Sequence, residues 1–244
     1  MICDPYNDLI NRHGRPNFVS VVVIPGNGPN VYLEQNDIIL RIHYASQNGL
    51  GKEMAEFSVC VKPIHTQIDK TIDFIEWVEL HRLLGVSHFT FYNHLIGPKL
   101  SCILQHYNNE EEGEDLVTVL PWSLPFNDPV NSTIPLIHTK GILVSLNDCI
   151  YRHRGQSKYL ILLDLDEIII PRRRDEDGQV MNYTELVQSW IKGKDNITNI
   201  GSFIVQNTFF YKELSTDEGW DTENELLIAR KTKRTIYIDP HGER

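Results

Sequence analysis

Residues 159–172 read YLILLDLDEIIIPR, with an apolar run, Tyr159 to Leu163, set against Asp164, Asp166 and Glu167. A second apolar triplet, Ile168 to Ile170, follows before Pro171 stops the segment. The pattern predicts a buried β-strand with carboxylates at its tip. In an extended segment, residues i and i+2 share one side, so Asp164 and Asp166 face a common site while Leu165 turns inward. Solvated strand-end charges, with Glu167 paired to Arg172 or Arg173, are the plain alternative. Two acids held at an apolar edge are costly without a cation, and this favours a metal. Hard oxygen ligands at that place suit magnesium or manganese, completed by water and substrate phosphate.

The elements around that strand alternate. FSVCVKPI predicts a core strand over 57–64, and IDKTIDFIEWVELHRLLG an amphipathic helix. The helix's apolar stripe is read from Ile68, Ile72, Ile75, Val78 or Trp77, and Leu83, with Gly85 as its stop. VSHFTFYNH is the next strand, 99–107 a short helix, and LVTVLPW another strand. A helix over 136–154 then delivers the chain into the acid-tipped strand. A helix near 183–191 and a strand in IGSFIVQNTFFY follow. Strand and helix in alternation mean an α/β fold with a mostly parallel central sheet, flanking helices and right-handed crossovers. The sequence divides into a β-rich N-terminal piece, 1–54, holding short strands at 18–24 and 38–43, and a main domain, 55–244. The tail, KTKRTIYIDPHGER, reads as a strand pattern cut short.

Bulk properties narrow the function. The chain is 41% hydrophobic and 23% charged, with a formal net charge of −10. That balance argues against a nucleic-acid binder, which needs a basic patch. No run approaches the roughly 20 apolar residues of a membrane span, and the N-terminus has no signal-peptide pattern. Three N-glycosylation acceptors, Asn131, Asn182 and Asn196, lean toward a secretory lumen. Cys3, Cys60, Cys102 and Cys149 lack zinc-type spacing. Cys60 and Cys149 read as buried thiols, and no pairing follows from spacing.

Two enzyme classes place Asp-x-Asp after a hydrophobic strand. Haloacid-dehalogenase-like phosphatases use the first Asp as nucleophile, but they place the motif near the start of the domain. Here more than half of the chain precedes it, and Ile168 and Ile169 stand where that family has a hydroxyl nearby. Metal-dependent glycosyltransferases place the motif after several strand–helix units, as here.

FSVCVKPIH, IDFIEWVELHRLLGVSHFTFYNH, LNDCIYRHR and YLILLDLDEIIIPR, in that order, make residues 55–238 resemble glycosyltransferase family 92. The resemblance implies a GT-A-like fold with a Rossmann-like nucleotide-sugar-binding half. It implies a UDP-sugar donor (UDP-galactose), a divalent metal taken as manganese, and inverting transfer to a glycan or glycoprotein acceptor. It also implies a type II membrane protein of the Golgi lumen. On this resemblance Asp164 and Asp166 hold the metal, and Glu167 orients a ligand or water.

The nucleotide pocket is expected at the ends of the first two core strands, with Lys62 and Asn93, and along the helix carrying Asp148 and Arg152. Each has a plainer reading: a surface lysine, a turn cap, and an i,i+4 helical ion pair. No general base is assigned; the acidic loop STDEGWDTENE, with Asp217, Glu218, Asp221 and Glu223, reads chiefly as solvated. A catalytically silent glycan- or nucleotide-binding module is the competing class.

Overall fold

A computed structural model describes residues 18–21, 38–41, 55–65, 71–108, 116–124, 140–171, 180–193 and 200–210. The backbone divides into two compact units, 1–51 and 52–244. In the first, β1 (Phe18–Val21) and β2 (Ile38–Arg41) pair antiparallel, Phe18 opposite Arg41.

The second unit holds β3 (Ala55–Val61), α1 (Thr71–Leu83), β4 (Val86–Asn93), α2 (Pro98–Tyr107), β5 (Val117–Pro121), α3 (Ile142–His153), β6 (Ser157–Leu163) and α4 (Tyr183–Ile191). The four strands form one parallel sheet in the order β5-β4-β3-β6. The chain therefore steps outward from β3 through β4 to β5, then returns to the other side of β3 for β6. That reversal makes a topological switch point, where crossovers on either side diverge and leave a crevice beyond the carboxyl ends of β3 and β6.

Side-chain alternation gives the sheet two different faces. Phe57, Val59, Val61, Phe89, Phe91 and Val117 join Phe74, Trp77 and Val78 of α1, Leu100 and Leu104 of α2, and Tyr183, Leu186 and Val187 of α4 in one core. The opposite face presents Cys60, Tyr92 and Leu160 to Cys149 and Leu146 of α3. Each fully buried large apolar side chain in these layers contributes on the order of 1.5–3 kcal/mol. A disulfide joins Cys60 to Cys149 with the Cα atoms 6.2 Å apart, so the two are bonded to each other instead of being separate thiols. Cys102 is free and exposed; Cys3 lies outside the described residues.

Several expected features differ. The buried stripe of α1 is Phe74, Trp77, Val78 and His81, which keeps the expected Val78 and Trp77, whereas Ile72 and Leu83 are 69% and 80% exposed and Ile68 lies outside the described residues. Aromatic bulk decides the face, because the Trp77 and Phe74 rings pack at a tilt against Phe89 and Phe91 and bury more area than the isoleucines would. Helix α3 begins at Ile142, since Lys140 and Gly141 both adopt positive φ, 55° and 80°, which a right-handed helix excludes. Residues 200–210 form no strand, and Ile204, Phe209 and Phe210 are exposed there. Strand β6 is half-buried, and it is an outer strand of the described sheet. No helix among the described residues is long and apolar enough to cross a membrane.

Candidate donor site at the β3–β6 switch point

Val61 and Leu163 are register partners at the carboxyl ends of β3 and β6. The residues that follow them, Lys62 and Asp164, therefore leave the sheet side by side. Their side chains form an ion pair between Lys62 Nζ and Asp164 Oδ2, with 35% and 26% of each side chain exposed. The sequence placed both residues near a pocket; the structure brings them into contact.

Asp164 to Glu167 is a turn rather than extended strand. The Glu167 N–H donates to the Asp164 carbonyl at 3.1 Å. The Glu167 carboxylate in turn accepts the Asp164 N–H at 3.0 Å. Both ends of the tetrapeptide are thus closed, one by backbone and one by side chain. The extended i/i+2 geometry expected for Asp164 and Asp166 does not occur. Asp166 instead sits at the exposed crest of the turn, and Leu165 packs inward against the core as expected. A turn forms here because strand pairing ends at Leu163.

Two buried aromatic side chains anchor this segment from below. The Trp77 indole N–H donates to the Glu167 carbonyl at 2.8 Å, and the Tyr183 hydroxyl donates to the Ile169 carbonyl at 3.0 Å. Ile168 and Ile169 pack on the same core. Burial pushes the Tyr183 phenol up beyond the ordinary range, so it remains a donor at all physiological pH.

The other expected site residues fall in separate places. Asn93 Oδ1 accepts the Ile96 N–H at 3.1 Å, which is a turn-capping contact. On α3, the Arg152 Nε donates to Asp148 Oδ2 at 2.6 Å, and the buried Tyr92 hydroxyl donates to the same oxygen at 2.7 Å. This i,i+4 pair gains a third member that sequence spacing did not suggest. Burial first, then the Asp148 contact, raise the Tyr92 phenol above its ordinary range. Asn147 donates to the Leu143 carbonyl on its own helix. Asn182 is the N-cap of α4, its side chain accepting the Glu185 N–H at 2.9 Å and Glu185 returning the contact at 2.8 Å. Asn131, Asn196 and the acidic loop 217–223 lie outside the described residues.

Sequence reasoning did not single out His65 and His94 as a pair. They lie beyond β3 and β4, and the His65 imidazole is held below its usual range by burial, then by the charges of Lys62, Lys140 and His94. The Lys62 and Lys140 ammonium groups thus both act on the ring just beyond β3, in a chain of net charge −10.

Asp164 and Asp166 are hard oxygen donors, the ligand type that a divalent cation takes. Asp164 already attracts the Lys62 ammonium, and Asp166 stands two residues away on the same turn. Among the described residues no group of three His, Cys, Asp or Glu gathers at Asp164 within ligand reach. Cys60, Cys149 and His153 do cluster, but the sulfurs are bonded to each other. The two His153 nitrogens face the Thr90 and Ser157 hydroxyls at 2.8 and 3.2 Å. That cluster is not a metal centre.

Comparison with known proteins identifies the family. The family model for glycosyltransferase family 92 matches residues 55–238. Among curated proteins, the chain is similar to the beta-1,4-galactosyltransferase galt-1 of Caenorhabditis elegans, 23% identical over 118 residues. That alignment takes in 48% of this chain and 25% of the relative, so the chain spans a minor part of the relative's length. No solved structure matches. The parallel sheet with helices on both faces is an α/β arrangement consistent with a GT-A-like fold. Because the family match covers most of the chain and runs through both strands of the switch point, the chain belongs to glycosyltransferase family 92.

Proposed function

We propose that this glycosyltransferase moves a hexose, galactose in the first instance, from a UDP-sugar to a glycan or glycoprotein acceptor with inversion, in the Golgi lumen. The observation that carries the reading is the capped acid turn at the β3–β6 switch point, with Lys62 against Asp164. Asp164 and Asp166 are the residues that would hold a divalent metal, manganese in this reading. When bound, the metal supplies Lewis-acid neutralisation of the charge that develops on the departing nucleotide diphosphate.

The chain's own groups have simpler tasks. Glu167 and Trp77 fix the turn, so the carboxylates meet the donor without reorganisation. Lys62, with the Lys140 ammonium that acts on neighbouring His65, draws the diphosphate into the crevice. Asn93 has a capped carbonyl oxygen, leaving its amide N–H groups as the part able to meet a base or ribose. Asp148 and Arg152, tied to Tyr92, shape the α3 side of the same edge. The Cys60–Cys149 disulfide supports a lumenal setting, because such bonds form in oxidising compartments. Galactose rests on the beta-1,4-galactosyltransferase similarity.

Calorimetric titration of UDP and UDP-galactose into the purified chain, with manganese and then with EDTA, tests the reading. Manganese-dependent binding that disappears in Asp164→Ala is the expected result. A folded chain that binds neither ligand under either condition would end it. A turnover assay with glycan acceptors then separates an enzyme from a silent binding relative.

A further inference from the structure

We infer that the Lys62 ammonium is an exchangeable counter-ion for Asp164, so that the divalent cation and the donor diphosphate enter the site as an energetically coupled pair. This rests on the donor-site reading above and adds the residue that links the two ligands.

The geometry leaves Asp164 little choice of partner. Parallel register places Lys62 and Asp164 on adjacent strands, directly beyond Val61 and Leu163, and neighbouring strands run roughly 4.8 Å apart. The Asp164 N–H is held by Glu167, and the turn it opens is closed by the Glu167 N–H. The carboxylate is thus fixed from its own backbone and remains beside the lysine. A cation arriving at Asp164 alone would sit within ion-pair distance of a second positive charge, and that repulsion lowers its affinity.

A diphosphate reverses the balance. It gives the cation further oxygen ligands, and it gives Lys62 a new acceptor. The four-carbon lysine stem allows the ammonium to pivot from one oxygen to the other, and Lys62 is only half-buried. No covalent bond breaks and no proton moves; the step is an exchange of ionic partners. By linkage, each ligand then raises the affinity of the other by the same factor.

The test measures manganese binding to the full chain by electron paramagnetic resonance of the free ion. Titrations run with and without UDP and are corrected for the manganese–UDP complex formed in solution. For Lys62→Met, manganese alone should bind roughly tenfold tighter than to the unaltered chain. UDP at saturating manganese should bind roughly tenfold more weakly, reducing the coupling between the ligands. Lys62→Arg, which keeps the charge, should retain most of the original coupling, and Asp164→Asn should abolish manganese binding in either background. Lys62→Gln replaces Lys62→Met if circular dichroism shows the latter unfolded. Unchanged or weaker manganese affinity in the charge-removing variant, with manganese–UDP binding intact in the unaltered chain, overturns the counter-ion exchange and leaves the donor site standing. Failure of the unaltered chain to bind manganese–UDP overturns both.

Discussion

The indole N–H of Trp77, in the middle of α1, donates to the backbone carbonyl of Glu167, 90 positions later, at 2.8 Å. A core residue thereby sets the height of the acid turn above the sheet. Its ring packs at 4.3 Å from His81 and 5.6 Å from Phe89, centroid to centroid, so most of its surface serves the core. Trp77→Phe should keep most of that packing while orphaning the Glu167 carbonyl. The expected cost is about 1–3 kcal/mol of stability, with a drop of roughly tenfold in UDP affinity if the turn sags. Thermal unfolding and calorimetry measure the two effects independently. Unaltered UDP affinity would show that Tyr183 and the isoleucines hold the turn without help.

Glu167 permits a sharper test, because its carboxylate accepts a backbone N–H. Glu167→Gln supplies an equivalent acceptor and should hold UDP–manganese affinity within about threefold. Glu167→Ala leaves the Asp164 N–H without that partner and should cost tenfold or more, by the ordinary worth of a lost hydrogen bond to a charged group. Equal losses in both variants would mean that the negative charge itself is what the donor requires.

Acid sensitivity should trace to His153. Burial, then the neighbouring charges of His88 and Arg152, lower its pKa from 6.5 to about 4. The folded value lies below the unfolded one, so the unfolded chain binds more protons between them. The stability conferred by the neutral ring is complete above about pH 6.5 and is lost as pH falls toward about 4, a total of roughly 3 kcal/mol. Buried His81, also shifted downward, acts in the same direction. Urea unfolding at a series of pH values should show this slope, and His153→Gln should flatten it in part. An identical slope in the variant would place the acid sensitivity elsewhere.

Asn182 combines two properties that substitution can separate. It caps α4 through reciprocal contacts with Glu185, and it belongs to a glycosylation acceptor sequence. Asn182→Ala should lose about 1 kcal/mol. Asn182→Asp removes the acceptor but keeps a capping oxygen, so its stability should remain near the original. A shift of similar size in both, on unglycosylated protein, would contradict the cap assignment.

The alternation of strands and helices was legible because apolar runs and turn residues mark each element locally. The face of α1 was not: isoleucines and aromatics both fit helical spacing, and only the sheet they meet selects Phe74 and Trp77. Asp164 was singled out from its place after an apolar run. Its conformation was missed, since an Asp-x-Asp reads equally as strand end or turn until the pairing limit at Leu163 is known. The Lys62 contact arises from strand order, which separates the partners by 102 positions and leaves no local trace. The same holds for the Tyr92–Asp148 contact and for the disulfide.

The disulfide also fixes an order of manufacture. Cys60 and Cys149 are 89 positions apart, and α1, β4, α2 and β5 all lie between them. A ribosome adding about 5–20 residues per second takes roughly 4–18 s to cover that distance. Through this interval Cys60 is a thiol awaiting its partner, and Cys102, which emerges in between and ends free, is available as a wrong one. β6 and its acid turn are made only afterward. Synthesis of both cysteines therefore precedes, in the life of each molecule, that of the carboxylates that complete the crevice.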